Sequence, residues 1–465
     1  MSVLREGFAD RVRGALQDQQ LQAALDFAIA HMTTKMEHAL AELPNVAELK
    51  EQAQEIRRRT MQDLDEHLER LTETVTASGG VVHRAEDAEE ACRQVVELAR
   101  QRGVRLVVKS KSMTCEEIEL NPALERAGIE VVETDLGEWI IQLARERPSH
   151  IVGPALHKTR HQVAELFSRE VGEEVPAEIE VLTAVARREL RRRFISADMG
   201  ISGVNFAVAE SGTLVIVTNE GNGRLVTSLP PVHVAVMGME KVVPTLEETF
   251  LLLKLLPRSA TGQKVSGYVS FITGPRRFQE VDGPQELHLI ILDNGRSRVR
   301  GGELGEALHC IRCGACLNIC PVYGKIGGHA YGWVYSGPIG SVLTPLYCGT
   351  ELARDLAHVS SLCRACLEVC PVRVDIPRML LNLRGQVVAE RKMPWLERTT
   401  FKLLNLVLTH HTLYRAVARL TSVLQRLFLR QGRISGLPFP LSRWTAYRDF
   451  PPLAAKPFWE RWEEL

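Results

Sequence analysis

The chain has 465 residues, 45% hydrophobic and 25% charged, the balance of an ordinary soluble protein of about three domains. Its 57 Lys and Arg match 57 Asp and Glu, so no global field gathers nucleic acid. The opening stretch MSVLREGFADRVRGALQDQQ is charged throughout and predicts no secretory signal. No run of about 18 apolar residues is present to span a membrane.

Residues 1–77 read as an N-terminal helical segment. VAELKEQAQEIRRRTMQDLDEHLERLTETV has helical apolar spacing and opposite charges three and four apart, which predicts one long surface or docking helix between Pro44 and Gly79. Residues 78–300 alternate short apolar strands (VVHRA, VRLVVKS, IEVVET, SHIVGP, GTLVIVT, HVAVMG, LHLIILD) with helices. That alternation predicts an α/β domain around a largely parallel sheet, with ligands at the carboxyl ends of the strands. Polar clusters fall there: Lys109–Ser112, Asn219–Arg224 and Gly238–Lys241. Cys92, within EEACRQVVELAR, and Cys115 read as small buried apolar residues.

Residues 301–390 carry the other eight of ten cysteines, all between 310 and 370. A secreted disulfide scaffold is short and cysteine-dense throughout; clustering in a long chain without a signal peptide points to metal ligation in the reducing cytoplasm. From 391 to 465 the chain reads as a basic amphipathic C-terminal region. Arg391 to Arg433 holds nine Lys or Arg against one acid, Glu397. FKLLNLVL and RAVARLTSVLQRLFLR alternate apolar and basic positions at helical spacing. Such helices either dock with a solvated basic face or contact a membrane or an acidic partner.

The first cysteine group reads Cys310-Ile-Arg-Cys313-Gly-Ala-Cys316-Leu-Asn-Ile-Cys320-Pro321, the C-x2-C-x2-C-x3-C-P run of two-cluster ferredoxins. Three thiolates in a tight loop wrap three irons of one cube, and Gly314 lets backbone N–H groups approach the sulfides. The fourth cysteine ligates the other cluster. The second group, Cys363-Arg-Ala-Cys366-Leu-Glu-Val-Cys370-Pro371, matches the last three cysteines of that run, with Ser360 where the first would fall. The ferredoxin pairing predicts two [4Fe–4S] clusters. Cluster one takes Cys310, Cys313, Cys316 and Cys370, and cluster two takes Cys320, Cys363 and Cys366. Its last corner is open to Cys348, to Ser360, to water or to a substrate atom, or the site holds three irons; an unusual corner is favoured over Cys348. Structural zinc, which takes four ligands per tetrahedron from paired knuckles, fits this spacing poorly.

Two such clusters move single electrons. No G-x-G-x-x-G and no G-x4-G-K-[ST] is present, so the hydride acceptor is expected on another subunit.

CIRCGACLNICPVY from 310, GGHAYGWVYSGPIGSVLTP from 327 and SSLCRACLEVCPV from 361 resemble the lactate utilization protein B family. VKSKSMTCEEI from 108, HIVGPALHKTR from 150 and ADMGISGVNFAVAESGTLVIVTNEGNGR from 197 resemble its lactate-utilization domain, itself similar to the sugar-phosphate isomerase and CoA-transferase type of α/β fold. The basic C-terminal region also looks like that family's. The resemblance implies an iron–sulfur subunit that carries electrons while L-lactate becomes pyruvate, alongside A and C partner proteins and an electron acceptor. It also implies an incomplete cysteine set at cluster two, since the family lacks the same first cysteine.

Oxidising a 2-hydroxy acid needs a base for the hydroxyl proton, a cation for the carboxylate and a hydride acceptor. Lys109, Lys111, Glu210, Arg224 and His233 are of the right types. Each has a plainer reading: solvated strand-end charges for the two lysines, a turn for Glu210-Ser211-Gly212-Thr213, a surface or core histidine for His233. Two other functions compete. One is electron transfer for another 2-hydroxy acid. The other is a cluster-based redox sensor with a basic tail, for which no nucleic-acid motif is present.

Overall fold

The β-branched runs in the middle of the chain become strands, as their alternation predicts. The computed structural model describes residues 7–390, 395–438, 441–445, 448–454 and 456–462, in two units that meet in sequence at Val387 and Val388. Residues 1–6, and Arg391 and Lys392 of the basic stretch, lie outside the described residues.

In the first unit the strands are β1 (Val81–Ala85), β2 (Leu106–Lys109), β3 (Glu130–Glu133), β4 (Met199–Gly203), β5 (Phe206–Val208), β6 (Thr213–Thr218), β7 (Val232–Gly238), β8 (Val242–Val243), β9 (Tyr268–Ile272) and β10 (Glu286–Leu292). Six form a parallel sheet in the order β1-β10-β7-β4-β2-β3. Its central strand β7, Val-His-Val-Ala-Val-Met-Gly, is buried along its whole length, as a parallel strand covered on both faces requires. Val234 and Val236 pack on one face with the helix Ala88–Gln101 through Val95 and Leu98. Ala235 and Met237 pack on the other face, in a core shared with the N-terminal helices and the cysteine region.

Two expectations fail locally. GTLVIVT is a strand, but it lies in a separate sheet of order β8-β5-β6-β9. The short turn through Gly212 (φ 68°) joins β5 to β6, and so tight a connection can only make an antiparallel pair. SHIVGP forms no strand. Ser149 folds back on it, its N–H and hydroxyl both donating to the Pro154 carbonyl at 3.0 Å.

The stretch expected as one long surface helix is two helices, Val46–Gln62 and Leu64–Ala77, broken at Asp63. Leu49, Ile56, Leu64, Leu68 and Leu71 are buried in the shared core. Between them stands Arg57, buried, whose guanidinium donates to the carbonyls of Val242 (3.0 Å), Leu308 (3.2 Å) and His309 (3.3 Å). This one side chain ties an N-terminal helix to a sheet strand and to the segment entering Cys310. The N-terminal helices, the α/β region and the cysteine region thus share one core.

A buried ion network crosses the same junction. Arg296 donates to both oxygens of Glu117 at 2.8 Å and to Glu240 at 2.6 Å. Asn294 and Tyr335 also donate to Glu117, at 2.7 and 2.5 Å. Despite burial, Arg296 and then Arg312 hold the Glu240 carboxyl down at about 2.

The second unit holds the helices Trp395–Thr409 and His411–Leu424, with Leu403, Leu404, Leu408, Leu420 and Val423 exposed. Arg419 pairs with Glu460 at 2.6 Å. No helix among the described residues is long and apolar enough to cross a membrane.

Removing one partner from a buried ion network leaves an uncompensated charge. Arg296→Met is therefore expected to cost roughly 3–5 kcal/mol, read from the shift of the urea midpoint. A cost below about 1 kcal/mol, the value of an exposed pair, would show that the network contributes little.

Candidate functional site

The two cysteine loops are copies of one another fifty positions apart: Cys313 and Cys363, Cys316 and Cys366, Cys320 and Cys370. Their backbones match residue by residue. Arg312 (φ 60°) and Leu362 (φ 56°) precede the paired cysteines in the left-handed region, and Gly314 (φ 82°) and Arg364 (φ 70°) follow them. Each non-glycine residue there costs on the order of 1–2 kcal/mol. Such strain persists where the surroundings over-determine it, typically at ligand sites. A short helix follows in each copy, Ala315–Asn318 and Ala365–Val369. Backbone N–H groups then face sulfur: Arg312 to Cys310 Sγ at 3.4 Å, Tyr323 to Cys320 at 3.5 Å and Val374 to Cys370 at 3.3 Å.

The thiols fall into two groups. Burial raises the Cys313 thiol, and Cys370 and Cys310 add to it; burial, then Cys310 and Cys313, raises Cys316. Burial pushes Cys370 up to about 11, with Cys310 contributing. In the second group burial, then Cys320 and Cys363, pushes Cys366 up to about 12, and Cys363 adds to the burial of Cys320. Cys348 belongs to neither: burial and then Glu117 push it up to about 11. Cys92 is half-buried, its Sγ 3.2 Å from the Ile118 carbonyl, and Cys115 is buried.

The donor chemistry fits iron–sulfur clusters. Among the described residues, no three His, Cys, Asp or Glu side chains stand close enough to hold a single metal ion. A cube of four irons spreads its thiolates wider than a single tetrahedral ion does. Charge agrees as well. Around the first group the buried cations Arg57, Lys241, Arg296 and Arg312 face two buried carboxylates, Glu117 and Glu240. A thiolate at Cys310 favours the charged forms of Arg57, Lys241 and Arg312. That surplus of positive charge suits an anionic cluster and lowers the cost of burying it.

The groups differ in depth. Cys313 and Cys316 are buried, and Cys310 and Cys370 half-buried. In the second group Cys363 is exposed.

A cavity of about 680 Å³ opens at the carboxyl ends of β2, β3 and β4 and runs to the first cysteine loop. Its walls include Lys111, Asn205, Asn222 and Lys241 from the α/β region, and Arg312, Cys313 and Tyr335 from beyond it. Nε and Nη1 of Arg312, Nζ of Lys111 and Oδ1 of Asn222 are buried without a hydrogen-bond partner in the protein. Arg312 is held over the Tyr335 ring, 4.7 Å from its centroid, and Burial, partly offset by Glu240, brings the Lys241 ammonium down to about 8. Unpartnered donors and a buried amine in one wall suit an anionic ligand. A second cavity of about 590 Å³ is lined by Glu116, Glu133 and Glu138 together with Lys111, Arg145 and Arg147, and burial raises the Glu116 and Glu138 carboxyls.

Of the five residues of catalytic type, Lys111 alone lines the larger cavity. Lys109 is neither solvated nor free: it is buried and paired with Glu133 at 2.7 Å, its register neighbour on β3. Glu210 is exposed and accepts from the Leu246 N–H at 2.6 Å. Arg224 is exposed, 5.3 Å from the Tyr268 ring centroid. His233 lies inside the sheet on β7, fully buried, its Nε2 2.8 Å from Ser202 Oγ; burial and then His288 lower it to about 3. Sequence reasoning missed Arg312 and Lys241 as lining residues. Lys241 closes a polar run already flagged after a strand. Arg312 sits inside the cysteine motif, where only the cysteines drew attention.

Comparison with known proteins covers nearly the whole chain. Residues 68–292 match the LUD domain, 306–374 the 4Fe-4S dicluster domain, and 379–465 the lactate utilisation protein B C-terminal domain. Among solved structures a duf162 family protein from Deinococcus radiodurans is 13% identical, covering 49% of this chain and 98% of its own, with a TM-score of 0.29. A lactate utilization protein B of Bacillus thuringiensis is 43% identical, covering 97% of this chain and 95% of its own. One of Shouchella clausii is 45% identical over 452 residues, with the same coverage. With relatives this similar along nearly its full length, the chain belongs to the lactate utilization protein B family.

Proposed function

We propose that this chain is the iron–sulfur electron carrier of an L-lactate oxidation system, taking electrons released as L-lactate becomes pyruvate and handing them on singly. The observation that carries the reading is that Cys313, a ligand of the first cluster, is also part of the cavity wall. Cys310, Cys313, Cys316 and Cys370 hold cluster one, and Cys320, Cys363 and Cys366 hold cluster two. When bound, the clusters supply one-electron transfer.

Lactate gives up two electrons and two protons on becoming pyruvate, so a two-electron acceptor stands between it and the clusters. In this reading the A and C partner proteins supply that acceptor, and its anionic reduced form meets cluster one in the cavity. Arg312 and Lys241 lie in one wall of the cavity with Lys111, which stands 3.8 Å from Glu138. Tyr335 fixes the Arg312 guanidinium from behind, so little ordering is left for binding to cost. The exposed Cys363 gives cluster two an outlet to an electron acceptor. The exposed apolar and basic helices of the C-terminal unit suit a partner or a membrane surface, and the setting is cytoplasmic. A sugar-phosphate isomerase or CoA-transferase ancestry of the α/β region belongs to the same reading.

The test uses anaerobically purified chain with its A and C partners. L-lactate is expected to produce a reduced-cluster EPR signal that the chain alone does not give. Lys241→Gln should keep its iron yet slow that reduction by roughly tenfold or more, as loss of a charge-assisted contact predicts. Full iron with no response to lactate would move the function to another 2-hydroxy acid or to sensing.

Exposure also orders cluster loss. An iron chelator is expected to take the protein from about eight irons to a plateau near four before the rest leaves. Loss of all iron in a single phase would contradict the difference in depth.

A further inference from the structure

We propose that Ser360 Oγ is the fourth protein ligand of the second cluster, an inference that rests on the two-cluster reading above. Ser360 stands fifty positions after Cys310, the offset that relates the other three cysteine pairs. The backbone agrees with the offset, since Leu362 and Arg364 repeat the left-handed turns of Arg312 and Gly314. Most directly, one hydrogen bond recurs in both copies. The N–H two residues on donates to Cys310 Sγ at 3.4 Å in the first loop and to Ser360 Oγ at 3.0 Å in the second. The serine oxygen therefore occupies the place in its loop that a ligating sulfur occupies in the other.

The loops are also anchored alike. Arg57 donates to the carbonyls of Leu308 and His309 just before Cys310. Arg384 donates to the carbonyls of Ala357 (2.8 Å) and of Ser360 itself (3.0 Å). The competing thiol, Cys348, stands beside Glu117 of the buried ion network.

As the bond from Oγ to iron forms, the hydroxyl proton leaves to solvent and nothing is oxidised or reduced. Oxygen is a harder donor than sulfur and favours ferric over ferrous iron. It therefore lowers the potential of cluster two below that of an all-thiolate site.

The experiment compares wild type, Ser360→Ala and Ser360→Cys by iron content, EPR and redox titration under anaerobic conditions. Wild type should hold about eight irons, and Ser360→Ala about seven, with the signal of an oxidised three-iron cluster. Ser360→Cys should retain the full iron content with cluster two at a raised potential. Should Ser360→Ala fold poorly, the potential of Ser360→Cys decides alone, and no change there overturns the proposal. Full iron in wild type with an unaltered cluster-two spectrum in Ser360→Ala overturns the serine ligand and leaves the two clusters standing. About four irons in wild type overturns the two-cluster reading and this proposal with it.

Discussion

Arg296 is fully buried, with two carboxylates against it. Glu117 comes from the segment after β2, Glu240 from the end of β7, and Arg296 from the turn after β10, so a single guanidinium gathers three crossings of the sheet at one point. Tyr335, from beyond the cysteine loop, reaches the same Glu117. Burying these charges is costly, and only complete pairing makes the arrangement tolerable. The network therefore works as a register pin between the sheet and the cysteine region, with Tyr335 donating to Glu117 and Arg312 standing 3.5 Å from Glu240. Arg57 adds a second pin from the N-terminal helices.

Pinning has an electrostatic consequence. Around the first cysteine loop buried cations outnumber buried carboxylates, and a protein interior does not leave such a surplus without a counter-charge. In the proposed function an anionic cluster supplies it, together with an anionic ligand in the cavity that Arg312 lines. Both lie within reach of one residue, which gives a physical reason for electron donor and first cluster to be neighbours. The second cysteine group reaches the surface at the exposed Cys363.

The cysteine region was the most legible part of the chain, because the spacing that wraps a cube is a local constraint written in consecutive residues. The parallel sheet was legible for a similar reason: β7 and β10 are mostly apolar and β-branched runs. What failed was non-local. TLVIVT reads as a strand but nothing in it says which sheet. Lys109 looks like a strand-end charge until Glu133 is seen beside it on the next strand. His233 is flanked by valines in the sequence, but only the assembled sheet shows it buried near the amino end of β7, away from the carboxyl ends where the cavity opens. Arg312 and Lys241 come from segments some seventy positions apart, and no periodicity announces that they line one wall.

The central claim, that the first cluster is built into the wall of the anion-binding cavity, is best tested by anomalous diffraction at the iron edge on anaerobically grown crystals. The account predicts two compact iron sites, one of them held by Cys310, Cys313, Cys316 and Cys370 and bordering the cavity beside Arg312. A single iron site, or a first cluster that does not touch Cys313, would contradict it.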